Sequence, residues 1–218
     1  MRLYRFWPLL LAVPILTACA GMAVNTPQCS VAESIEIPIN ITEGLNTLIT
    51  FAGNEKISDK EFGGLVKSVL LKTLDLEFAS KKLFGKEWPA NADSHQREEF
   101  RQLFQLRLIK TAIQRRHKFK SIKIEYKNFF VCNYGSQGID AVIVWPDGDR
   151  DKIKFLLMGR ESGSWRLYEI QAGEVSIFRS LGYKGIHEKS GSSFGDFLGK
   201  VKQIESEKDE AKEKEKKK

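Results

Sequence analysis

The chain has 218 residues, of which 42% are hydrophobic, and a formal net charge of +7, which suits one domain with a buried core and additional terminal segments. Two positive charges lie in the first five residues, and residues 205–218 balance six acidic side chains with six lysines, so residues 19–204 carry only +5. This mild charge, without a basic cluster interleaved with aromatic residues, argues against nucleic acid as the main partner.

The N-terminus has the pattern of a secretory leader. MRLYR is positively charged, FWPLLLAVPI is apolar but short for a membrane span, and residues 16–19 read LTAC. LTAC resembles the lipobox of bacterial lipoproteins, which implies a signal peptide at 1–18, cleavage before Cys19 and acylation of its thiol. Ala20 in place of Asp resembles the pattern sorted to the outer membrane. The alternative is an ordinary signal peptide with an incidental cysteine.

Two further cysteines, Cys29 and Cys132, lie in the mature chain. Export would place them where disulfides persist, and an even pair predicts a bridge. Such a bridge would join the predicted tether, residues 19–38, to the end of a predicted strand. Two separate thiols are the alternative.

Helical periodicity begins after the tether. Asn40 with Glu43 three residues later predicts the start of a first helix, which ends at Gly53. Ser58 with Glu61 forms a second capping box, and apolar residues continue from there at intervals of three and four. These patterns predict helices on the N-terminal side of the domain.

The rest of the chain is organised around residues 74–113, which read as two helical segments with a short break. Asp93 and Gln96 have the spacing of a capping box, so a helix should begin at Ser94. Apolar residues are spread around most of the circumference of this helix. The pattern fits an ordinary buried core helix, and it also fits a helix that forms the wall of an apolar cavity.

After His117 the periodicity becomes that of strands, and the C-terminal part returns to helix. Four strands are predicted at 122–130, 139–145, 152–158 and 165–170, and two helices at 176–187 and 194–204. Short connections predict an antiparallel meander, and helices followed by strands predict an α+β fold. Residues 205–218 offer nothing to bury, so a solvated or frayed tail is expected.

Three segments, taken in their order along the chain, resemble a known family. LDLEFASKKLFGKEWPANADSHQREEFRQLF is similar to the helix-pair signature of the periplasmic phospholipid-binding component of the maintenance-of-lipid-asymmetry (Mla) ABC transport system, the toluene-tolerance family. SWRLYEI followed by AGEVSIFR resembles that family's strand and turn, with Trp165, Tyr168, Glu169, Val175 and Ser176 in place, and SSFGDFLGKVKQI resembles its final helix. The resemblance covers about residues 40–204.

The resemblance implies an NTF2-like α+β domain, residues 39–204, that encloses phospholipid acyl chains in an apolar cavity. It implies a non-enzymatic carrier of the bacterial envelope with phospholipid as its ligand and no cofactor. Inner- and outer-membrane components of a lipid ABC transport system would be its partners. The lipobox departs from the family's soluble members, and the order Gly173-Glu174 looks swapped.

Eleven residues are predicted to line the cavity, although core packing is an equally good interpretation for each. They are Leu74, Phe78, Phe100, Phe104 and Leu108 from the helices, and Ile124, Val142, Val144, Phe155, Leu157 and Tyr168 from the sheet. Lys81 and Lys82 lie beside this wall and could face a headgroup phosphate, or simply be solvated.

A cavity enzyme is the rival interpretation, since such chemistry needs a histidine or carboxylate in an apolar pocket. His95, His117 and His187 lie in a capping turn, a basic run and a helix end, so Asp75 and Asp140 are the best candidates. Ligand spacing for a metal, a phosphate-binding glycine-rich loop and a nucleophile elbow are absent from the sequence. A tethered structural or interaction lipoprotein is the third interpretation.

Overall fold

The computed structural model describes residues 29–32, 36–84, 92–132, 137–159, 164–190 and 193–216. The predicted leader and Cys19 lie outside these residues. The helices are α1 (Ile39–Ala52), α2 (Asp59–Thr73), α3 (Leu76–Phe84), α4 (Ser94–Gln114), α5 (Tyr183–Lys189) and α6 (Phe194–Lys216). The strands are β1 (Cys29–Val31), β2 (Lys123–Cys132), β3 (Gln137–Val144), β4 (Arg150–Gly159), β5 (Trp165–Ala172) and β6 (Val175–Ser176).

The described strands form one antiparallel sheet in the order β1-β2-β3-β4-β5-β6, and helices cover one of its faces. The predicted α+β class and the antiparallel meander of β2 to β5 are confirmed. The expected number of about four strands is too low, because β1 and β6 have three and two residues and show no alternation that a sequence pattern could reveal. The finer assignment to an NTF2-like fold stays a prediction.

Two of the three predicted capping boxes are confirmed. The Ser58 hydroxyl accepts the backbone N–H of Glu61 at 3.2 Å, and Asp93 accepts that of Gln96 at 2.8 Å, with each partner side chain reaching back. The box predicted at Asn40 is wrong. Helix α1 begins at Ile39 after Pro38, and the Asn40 amide instead donates to the carbonyl oxygen of Trp165 at 2.9 Å.

A break between α2 and α3 interrupts what the apolar spacing predicts to be continuous helix. Leu74 is extended and forms a parallel bridge with Leu167 of β5. Asp75 then starts α3, because its carboxylate accepts the backbone N–H of Phe78 at 3.0 Å while its own N–H donates to the Leu167 carbonyl at 2.7 Å. The helical layer is thereby attached to the sheet at this point.

Cys132 lies at the end of β2 and is disulfide-bonded. In the register of β1 with β2, the Cα of Cys29 lies directly opposite that of Cys132. This register supports the predicted Cys29–Cys132 bridge, which stays a prediction.

The C-terminal helices differ from the sequence pattern in two ways. Gly182 adopts φ +83°, a left-handed conformation that suits glycine, so the predicted helix at 176–187 is split into a short 3-10 turn and α5. Helix α6 continues past Ile204 to Lys216, where a solvated or frayed tail is expected from the sequence. Its first residue beyond the apolar stripe, Glu205, is buried against α4.

An apolar cavity between the helices and the sheet

A cavity of about 270 Å³ lies between the helical layer and the inner face of the sheet. Of its 25 described lining residues, 22 are apolar, and the polar ones are Thr73, Thr111 and Arg115. The helices contribute Leu45, Leu48, Ile49, Ala52, Phe62, Val66, Val69, Leu70, Leu108 and Ala112. The sheet and the connecting segments contribute Leu74, Phe119, Ile122, Ile124, Ile143, Ile153, Phe155, Leu167, Ile170, Ile177, Phe178 and Leu181.

Two glycines allow the helices above the cavity to pack closely. A Cβ at Gly44 of α1 would lie 2.8 Å from the Cγ2 of Thr73, and one at Gly63 of α2 would lie 2.9 Å from the Cδ1 of Ile113. Both distances are shorter than a van der Waals contact, so a larger residue would force the side chain of Thr73 or Ile113, or the helix that carries it, to shift. The glycine at position 63, which costs helix propensity, is thus explained by the approach of α2 to α4.

Four of the eleven predicted lining residues contact this cavity: Leu74, Leu108, Ile124 and Phe155. They come from the break between α2 and α3, from α4, from β2 and from β4, so the fold brings them together only through tertiary packing. The other seven lie elsewhere, and whether any of the eleven contacts a lipid stays a prediction.

Phe100 and Phe104 belong to a closed aromatic core instead of the cavity wall. Both are fully buried, and the ring centroid of Phe100 lies 5.2 Å from Tyr183 and 5.6 Å from Phe197. Phe104 packs on Phe178 with a centroid distance of 5.6 Å. Phe100 and Phe104 are the two buried residues of α4, whereas Gln102 on the same part of the helix is exposed, so the C-terminal helices cover one side of it.

The remaining predicted residues lie on other surfaces. Val142 and Val144 alternate with the buried Ile143 and therefore point to the outer face of the sheet. Leu157 is buried in the core away from the cavity, and Phe78 and Tyr168 form an edge-to-face pair with centroids 4.8 Å apart.

The two lysines proposed for a headgroup also lie off the cavity wall. Lys82 places its Nζ 5.4 Å from the Phe78 ring centroid and 5.9 Å from that of Tyr168. Lys81 forms an exposed ion pair with Glu77 at 2.8 Å. Neither residue is among the described lining residues.

Sequence reasoning missed α1, α2 and the turn after β6 as cavity walls. The apolar spacing of Leu45, Leu48 and Ile49 predicts a buried helix face, but nothing local shows that a cavity lies beneath it. The turn could have been identified from the sequence, because Glu169 is part of the family resemblance. Its carboxylate accepts hydrogen bonds from the Ile170 N–H at 2.8 Å, the Ser176 hydroxyl at 2.5 Å and the Phe178 N–H at 3.4 Å.

This carboxylate is buried, and its burial raises the pKa of Glu169 above the usual range, while the three hydrogen bonds oppose that rise. The same bonds fix the segment that carries Ile177 and Phe178 against the cavity. Glu169 therefore acts as a structural support for this wall.

The groups considered for catalysis do not meet in the cavity. Asp75 is buried as the cap of α3, and Asp140 lies on the outer face of the sheet, 3.9 Å from the Nζ of Lys154. The described lining residues include no histidine, carboxylate, cysteine or lysine. No group of three or more metal-binding side chains occurs within the described ranges.

The family of this chain is shown by a comparison with known protein families. The family model described as MlaC protein matches residues 45–181, more than half of the chain. The chain belongs to the MlaC protein family. This confirms the resemblance to the periplasmic phospholipid-binding component of the Mla system and indicates a binding protein rather than an enzyme.

A solved structure has the same fold. It is the phospholipid-binding protein from Ralstonia solanacearum, determined in complex with a phospholipid, with a TM-score of 0.64 and 12% sequence identity over 79% of this chain and 98% of that chain. A search of curated proteins finds no match. Among the helices that the structure describes in this MlaC-family chain, none has the length and hydropathy needed to cross a membrane.

Proposed function

We propose that this MlaC-family domain is a phospholipid carrier that takes acyl chains into its apolar cavity. The observation that carries the proposal is the cavity itself, whose 25 described lining residues include only three polar ones. Its family supports the proposal, as does the phospholipid bound by the similar protein from Ralstonia solanacearum. Each buried methylene contributes about 0.8 kcal/mol, so burying a run of them offsets the cost of removing a lipid from a bilayer.

The size of the cavity bears on how a lipid enters. Its volume of about 270 Å³ lies just below the roughly 300–1,000 Å³ of ordinary small-molecule pockets. Two complete acyl tails therefore require the walls to move apart. Release into a membrane then requires a partner that opens the cavity or competes for the lipid.

The finer proposal is that the domain passes lipid between membrane complexes of an ABC-type transport system while it is held at the outer membrane by acylated Cys19. The lipobox and the Mla family support this interpretation. Because β1 begins at Cys29, nine residues lie between the anchor and the sheet, and the ten steps from Cys19 to Cys29 span at most about 35 Å at full extension. Partner complexes would have to meet the domain close to the membrane.

The lipid content of the purified chain tests the carrier proposal. We expect phospholipid in stoichiometric amount by mass spectrometry when the chain is expressed in a Gram-negative host. An Ala112→Phe variant, which places a ring in the cavity, should lose at least about tenfold of this lipid. Gln114→Phe on the exposed side of the same helix is the matched control and should retain it.

A folded Ala112→Phe protein that keeps its full lipid content would show that the lipid binds elsewhere. Absence of lipid from the unaltered chain would instead favour the structural lipoprotein interpretation.

Membrane fractionation tests the anchor. A Cys19→Ala variant lacks the thiol to be acylated, so we expect the chain to leave the membrane fraction. The acylation proposal fails if that variant is processed and fractionates like the original.

A further inference from the structure

Arg115 is the one charged residue among the described residues that line the cavity. It is the C-cap of α4, and its backbone N–H donates to the carbonyl oxygen of Thr111 at 3.1 Å. Gln114 before it and His117 two residues after it are exposed, so this end of the helix reaches the molecular surface. Arg115 therefore lies where the apolar cavity approaches solvent.

The guanidinium of Arg115 has no acidic partner within the part of the chain that the structure describes. The adjacent Arg116 is different, because it donates to the carbonyl oxygens of Ala52 and Ile57 at 3.2 Å and 2.8 Å and pairs with Asp59 at 3.4 Å. Burial alone lowers the pKa of Arg115 from its usual value, and the group remains charged. Its five N–H donors form no side-chain hydrogen bond with the described residues, and a partly desolvated cation of this kind is a favourable site for an anion.

The surroundings define the chemistry of that anion. A ligand that contacts Arg115 from within the cavity must also present apolar surface to the other walls, so it is an amphiphile. A guanidinium fork matches the oxygens of a phosphate or a carboxylate. Thr111, one turn earlier on the same side of α4, adds a hydroxyl at the cavity wall. The helix C-terminus itself repels an anion, but its partial charge is smaller than the full charge of Arg115.

We propose that Arg115, assisted by Thr111, binds the oxyanion of an acyl lipid whose chain occupies the cavity. The oxyanion is the phosphate of a phospholipid or the carboxylate of a fatty acid. This rests on the proposed carrier function and adds its specificity determinant: the site selects acyl lipids that carry an oxyanion over neutral ones. It also replaces Lys81 and Lys82, which lie off the cavity wall, as the headgroup contact.

Affinities of the purified chain for four probes test the proposal. The probes are phosphatidylglycerol and the diacylglycerol with the same chains, and palmitate and hexadecanol. We expect Arg115→Gln to weaken binding of at least one oxyanion lipid about tenfold or more relative to its neutral counterpart. Arg115→Lys, which keeps the charge but loses the fork, should fall between. Arg150→Gln, which removes an exposed arginine paired with Glu125 on β2, is the control and should change nothing.

Each outcome has a distinct meaning. A loss confined to phosphatidylglycerol assigns the phosphate, and a loss confined to palmitate assigns the carboxylate; both support the site. Unchanged affinity for the neutral probes shows that the variant still folds with an intact cavity. The proposal is overturned if Arg115→Gln binds all four probes like the unaltered chain, or if neutral and anionic lipids weaken equally. If the unaltered chain binds none of them, the carrier function fails as well.

Discussion

Replacing Phe100 with alanine is expected to lower the free energy of unfolding by about 3–5 kcal/mol. Phe100 is fully buried, and its ring lies within 5.2–5.6 Å, centroid to centroid, of Phe84, Tyr183 and Phe197. Removing the ring leaves a hole that α3, α5 and α6 cannot close without shifting together. Denaturant unfolding of the purified chain measures the change.

Leu108→Ala on the same helix is the matched comparison. Leu108 is only partly buried and already faces the cavity, so its truncation enlarges an existing space and should cost less, about 1–2 kcal/mol. Lipid affinity should respond in the opposite order, with Leu108→Ala altering it and the folded fraction of Phe100→Ala leaving it unchanged. A stability loss below about 1 kcal/mol for Phe100→Ala would contradict the closed aromatic core.

Helix α4 shows how far a sequence pattern can reach. Its start at Ser94 is encoded locally, because a capping box needs only Asp93 and Gln96 on neighbouring turns. The spacing of the apolar residues around the helix is local too, but the spacing is the same whether side chains or lipid cover them. Which interpretation holds at Phe100 is decided by Tyr183 and Phe197, more than 80 residues away in the chain.

The same difference between local and tertiary information applies to the strands and to the two arginines at the end of α4. Strands β2 to β5 are alternating or continuous apolar runs bounded by turn signals and can be predicted, whereas β1 and β6 are short segments that pair with the edge of a neighbouring strand. Arg115 and Arg116 are adjacent in a basic run and look equivalent in sequence. Arg116 donates to the carbonyl oxygens of Ala52 and Ile57 at the junction of α1 and α2, whereas Arg115, the C-cap of α4, lines the cavity. Adjacent residues at the end of a helix thus point in different directions.

A Glu205→Gln variant is expected to lose about 3–5 kcal/mol of stability, because it leaves a buried arginine without its counter-charge. The Glu205 carboxylate on α6 pairs with Arg107 of α4, and the two side chains are only 11% and 12% exposed. The Arg107 guanidinium also lies 5.4 Å from the Tyr183 ring centroid, and the Nζ of Lys110 lies 3.9 Å from the same carboxylate. Thermal and denaturant unfolding at neutral pH measure the loss.

The chain offers a matched ion pair between the same two helices. Lys202 of α6 pairs with Glu99 of α4, but Lys202 is 55% exposed, so Lys202→Gln should cost no more than about 1 kcal/mol. The double exchange of Arg107→Met with Glu205→Leu should recover most of the lost stability, since no unpaired charge remains buried. Equal costs for Glu205→Gln and Lys202→Gln would mean that water screens Glu205 as it does the surface pair. The attachment of α6 to α4 would then depend on Phe197 and Val201, which are fully buried on the same helix, rather than on charge.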